Sequence, residues 1–92
     1  MVRNTSQRKK MAKVSRINEL LEIMKAWDLR KVDVAFISGE HYDSVRKGIQ
    51  NPDHVSNERL EKFLTTTKAY IKANPQVFSD LTITEEMNEL IK

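Results

Sequence analysis

The sequence predicts an all-α fold, a compact five-helix domain that contains a helix-turn-helix and is preceded by a basic flexible arm. Three observations carry that expectation. Apolar residues recur at helical spacing, as at Ile17, Leu20, Leu21, Met24 and Trp27. Only two glycines and two prolines punctuate 92 residues, too few for a loop-rich or sheet-rich chain. The one segment with strand-like alternation, Val32, Val34 and Phe36, has no partner strand closer than a weak candidate between Val77 and Ile83. A short helix is therefore expected there, although its β-branched residues give it poor helix propensity.

A chain of this length sustains one modest core and one domain. The 39% apolar and 32% charged content is that of an ordinary globular protein. Cysteine is absent, which excludes disulfides, thiolate metal sites and a thiol nucleophile, and fits a reducing compartment. No apolar run reaches the length of a membrane span, and Met1 to Gln7 lack the apolar core of a signal peptide. The expected location is cytoplasmic. The net charge of +3 is unevenly spread: Met1 to Lys31 hold nine Lys or Arg and three acids, whereas Val32 to Lys92 hold seven and ten. A basic first third and an acidic remainder suggest one surface facing a polyanion, or else a solvated basic tail.

Residues 1–14 carry Arg3, Arg8, Lys9, Lys10 and Lys13 with little apolar to bury, and are expected to form a mobile arm before a domain over residues 15–92. Ser15 is placed to cap the first helix. After the ambiguous segment, Gly39 supplies a left-handed stop. Tyr42 to Gln50 reads as another helix with Val45 and Ile49 inward and Arg46, Lys47 and Gln50 outward. Asn51, in a left-handed conformation, and Pro52 close it. Ser56 then caps a long helix with a buried stripe of Leu60, Phe63, Leu64, Thr67 and Ile71, and Val55 is placed to staple onto Leu60. Thr82 and Glu85 have capping-box spacing before a last amphipathic helix with Ile83, Met87, Leu90 and Ile91.

The stretch from Lys31 to Gln50 holds three spacings that a helix-turn-helix needs for steric reasons. Ala35 lets two helices cross closely; four residues later Gly39 permits a tight turn; ten residues after Ala35, Val45 packs the second helix on the first. With these residues, Ile17 to Ile71 resembles the Cro and lambda-repressor-like, or XRE-type, helix-turn-helix family. The nearest local match is to the Cro-type recognition helix, in Val45-Arg46-Lys47-Gly48-Ile49-Gln50. The resemblance implies that the second helix enters the DNA major groove, with His41, Tyr42, Asp43, Arg46, Lys47 and Gln50 near bases and phosphates. Two positions depart from the family. Glu40 replaces an apolar residue after the turn glycine and brings an acid near the phosphates unless it points aside. Lys31 replaces the usual Gln or Thr and is suited to a phosphate by charge.

On that reading Arg46 is suited to guanine O6 and N7, Gln50 to adenine N6 and N7 or to a helix end, and Lys47 to phosphate. Asp43 either accepts from cytosine N4 or favours the helix N-terminus through its dipole. Tyr42 either meets a thymine methyl or phosphate, or is a partly buried helix-start aromatic. Arg8, Lys9 and Lys10 in the arm are expected to add a salt-dependent contact to the backbone or minor groove, as lambda-type repressors use a similar arm.

His41 and His54 lack acids at ligand spacing, and Ser38, His41 and Asp43 fall in one tight turn where a catalytic triad cannot converge. Neither an enzyme nor a metal or organic cofactor is expected. The expected function is sequence-specific binding of double-stranded DNA by a repressor-type regulator. It is expected to act as a homodimer, with Met87, Leu90 and Ile91 offering the pairing stripe. The competing expectation is an interaction module, such as an antitoxin, whose arm or last helix binds a protein partner.

Overall fold

Between Gln7 and Lys13 every residue is a good helix former, and nothing there stops a helix once it is nucleated on the apolar stripe that follows. A computed structural model, which describes the backbone of residues 5–92 and the side chains of residues 12–92, accordingly begins α1 at Thr5 and runs it to Ala26. Ser15, the expected cap, lies inside that helix. Met1 to Asn4 of the expected arm, and the side chains of Arg8, Lys9 and Lys10, fall outside the described residues.

Two helices end in the same way. At the end of α1, Asp28 takes a left-handed conformation (φ 54°), and the N–H of Leu29 donates to the Met24 carbonyl at 2.8 Å. This 6→1 bond is the mark of a Schellman closure, and aspartate accepts the conformation better than most residues. Helix α2 spans Lys31–Ser38, so the ambiguous segment is a helix. The Asp33 carboxylate accepts the Arg30 N–H at 2.8 Å to start it. It stops at Gly39 (φ 72°), where the Glu40 N–H donates to the Ala35 carbonyl at 3.1 Å.

Helix α3 covers Tyr42–Gln50 and ends by a different device from the one expected. Asn51 is extended (φ −147°), not left-handed, and its side chain accepts the Asp53 N–H at 3.2 Å to begin a 3₁₀ turn over Pro52–His54. Helix α4 runs Asn57–Ala73 with Ser56 as its cap, the hydroxyl accepting the Arg59 N–H at 3.2 Å. A second 3₁₀ turn, Pro75–Phe78, leads to α5 over Glu85–Leu90. Its cap is Thr84 and not Thr82: the Thr84 hydroxyl accepts the Met87 N–H at 3.2 Å.

The chain is thus all-helical, with α2 packed on α3 and α4, and α1 packed on α4 and α5. Ile17, Leu20 and Met24 of α1 and Trp27 just after it are buried as expected, while Ile23 replaces Leu21 in the stripe, Leu21 being 39% exposed. All five expected α4 positions are buried. Gly48 lets α3 approach α4: a Cβ there would lie 3.1 Å from Val55 Cγ2 and 3.4 Å from Leu60 Cδ2. On the outside of the α1 and α4 pair, Arg16 meets Glu61 at 2.6 Å and Lys68 meets Glu19 at 2.8 Å.

The last helix corrects one expectation. Ile91 is only 6% exposed and belongs to the core, with Met87 and Leu90 partly buried beside it. A helix of six residues cannot hold itself in water, so it lays its apolar side on its own chain. The free stripe that was to join two copies is largely occupied. No described helix is long and apolar enough to cross a membrane.

Candidate nucleic-acid interface

Helices α2 and α3 are joined by three residues, Gly39, Glu40 and His41, and pack directly on one another. The joint is held from inside. Val34 and Val45 are fully buried, and Ala35 is 6% exposed where a larger side chain would separate the helices. Ser38 is also buried, its hydroxyl donating to the Ala35 carbonyl at 3.4 Å, so it is tied to its own helix. With Val45, Gly48 and Ile49 turned inward, helical geometry places Asp43, Arg46, Lys47 and Gln50 on the outer side of α3.

That outer face carries its own polar network. The Arg46 guanidinium stands 3.6 Å from the Asp43 carboxylate and donates to the Gln50 side-chain oxygen at 3.4 Å. Both contacts are solvent-facing, and exposed pairs of this kind hold side chains weakly, by about 0–1 kcal/mol. Lys47 is exposed and makes no ion pair among the described residues. His41 and Tyr42 begin the helix, both exposed, with Tyr42 at 47%.

Lys31 is the first residue of α2 and joins the site from the other helix. It lines a shallow depression with Met24, Arg30, Val32 and Tyr42, which brings the α2 N-terminus beside the α3 N-terminus. Arg30 was not among the expected residues. The adjacent bases Arg30-Lys31 at a helix start were the signal, since unpaired backbone N–H groups and cations there favour the same anion.

The departure at position 40 is resolved by the fold. Glu40 points away from the α3 face and into a pair of cations on α4, 3.1 Å from Lys62 Nζ and 3.8 Å from Arg59 Nε. Its side chain is 17% exposed. Met87, Leu90 and Ile91 stand on α5 and just after it, and α5 packs on α1. Among the described residues no group of three or more His, Asp or Glu is placed to hold a metal ion. Compared with known proteins, the chain matches no family model, no curated protein and no solved structure.

Proposed function

We propose that this chain is a sequence-specific double-stranded DNA-binding regulator, of repressor type, whose α3 enters the major groove while the start of α2 holds the phosphate backbone. The observation that carries the proposal is the outer face of α3: its three apolar positions are turned into the core, and Arg46, Lys47 and Gln50 are left on one open side. A helix of this size with polar and basic residues outward fits the width of the major groove. The resemblance to Cro and lambda-repressor-like proteins supports the same reading.

In this arrangement Arg46 makes the bidentate contact to guanine and Gln50 the contact to adenine, each good pair contributing about 1–3 kcal/mol of discrimination. Their present contacts with Asp43 and each other are weak enough to be exchanged for bases. Lys47, Lys31 and Arg30 meet phosphates. Because one short helix reads few bases, two copies are required on a twofold site, with half-sites about one DNA turn apart.

The test is a titration of duplex DNA at increasing salt. Affinity is expected to fall linearly on a double-logarithmic plot, with a slope of about −0.9 per phosphate contact, and Lys47→Ala is expected to flatten it by about 1. A salt-independent or absent interaction removes the proposal.

A further inference from the structure

A second surface, formed by none of the α3 residues, lies where the end of α1, the side of α2 and the segment after α4 converge. It is a groove of about 250 Å³ with Trp27 and Phe78 buried at its base and Phe36 and Val77 at its edge. Phe36 is 83% exposed and Val77 51%, in a chain of ordinary polarity. Three carboxylates line the same groove: Asp28, Asp33 and Asp80. Asp33 is shared with Arg30, 3.5 Å away, whereas Asp28 and Asp80 have no cationic partner among the described residues.

We propose that this groove is a docking site for a segment of a partner protein that presents one large apolar side chain flanked by lysine or arginine. Size and charge decide the occupant. The volume lies below the roughly 300–1,000 Å³ of pockets that hold drug-sized ligands, and suits a single apolar anchor. Uncompensated carboxylates at the rim repel the phosphates of a nucleic acid and attract a basic chain. They also argue against a second copy: a twofold contact would set each acidic rim against itself, and like charges so placed are costly. The partner would dock without touching the α3 face.

Trp27, the sole tryptophan, reports on the groove from its base. The experiment is selection of random displayed peptides on the full chain, followed by titration of the enriched peptide against Trp27 fluorescence. Peptides with an apolar residue beside Lys or Arg are expected. Phe36→Ser, at a residue whose exposure spares the fold, is expected to remove the fluorescence change. Asp28→Asn combined with Asp80→Asn is expected to weaken binding about three- to tenfold at low salt and less at high salt. The proposal is overturned by the absence of any enriched motif, by enriched peptides without basic residues, or by affinity unchanged in the aspartate variant. Concentration-dependent self-association that Phe36→Ser abolishes would also overturn it, since a second copy would then be the occupant.

Discussion

The carboxylate of Glu40, in the turn between α2 and α3, lies 3.1 Å from the ammonium of Lys62 on α4. At the residue after a left-handed glycine a Schellman closure normally sets an apolar side chain against the preceding helix. Here a charge pair takes that place, with Arg59 at 3.8 Å as a second cation. The acid is thereby held off the outer face of α3, and the turn is anchored to the longest helix after α1.

Because Lys62 and Arg59 are about half exposed, the anchor is modest. Glu40→Ala is expected to lower unfolding stability by no more than about 1 kcal/mol in a denaturant titration. Glu40→Lys, which gathers three cations, is expected to cost more than Glu40→Ala. Equal losses for the two variants would show that charge is not the basis of the contact.

Gly39 tests the turn itself. Nothing lies within 4 Å of a Cβ built there, so substitution meets conformational strain and no clash. Gly39→Ala is expected to cost about 1–2 kcal/mol from the φ of 72° alone. Gly39→Asn, whose side chain tolerates this region, is expected to cost visibly less. Thermal unfolding of the two variants side by side checks the order.

The role of the chain end is open to a similar check. Ile91 is buried at 6% exposure, so Ile91→Ala is expected to destabilise the protein by about 2 kcal/mol, and the loss in Tm is expected to be independent of protein concentration. A loss that vanishes on dilution would place Ile91 between copies instead.

Much of this fold was legible in the sequence because its helices bury periodic stripes. The α4 stripe and the pair Ala35 and Val45 were read without tertiary information, and Gly39 marked the turn. What escaped did so for identifiable reasons. A cap residue such as Ser15 inside a run of good helix formers does not interrupt α1, which is already helical before it. Thr84, not Thr82, caps α5: both threonines are cap residue types two positions apart, and spacing alone did not separate them. Most informative is the alternation Val32, Val34, Phe36. In a helix, residues two apart lie about 200° round the axis and residues four apart about 40°. Once Val34 is buried, Val32 and Phe36 must both face outward, as their 48% and 83% exposures record. The pattern that made a strand plausible is thus the pattern that leaves Phe36 exposed at the acidic groove and Val32 exposed in the depression beside Lys31. At the site, the identities on the α3 face were readable, but the direction of Glu40 and the joining of Arg30, Lys31 and Tyr42 depend on contacts between helices.

The most direct measurement on the role of α3 is selection of binding sites from random duplex DNA by the full chain, repeated with Arg46→Ala. A palindromic consensus with half-sites about one helical turn apart is expected, and Arg46→Ala is expected to relax one base position in each half-site while leaving the others intact. Failure to enrich any sequence, or a consensus indifferent to Arg46, would contradict the assignment of α3 as the helix that reads DNA.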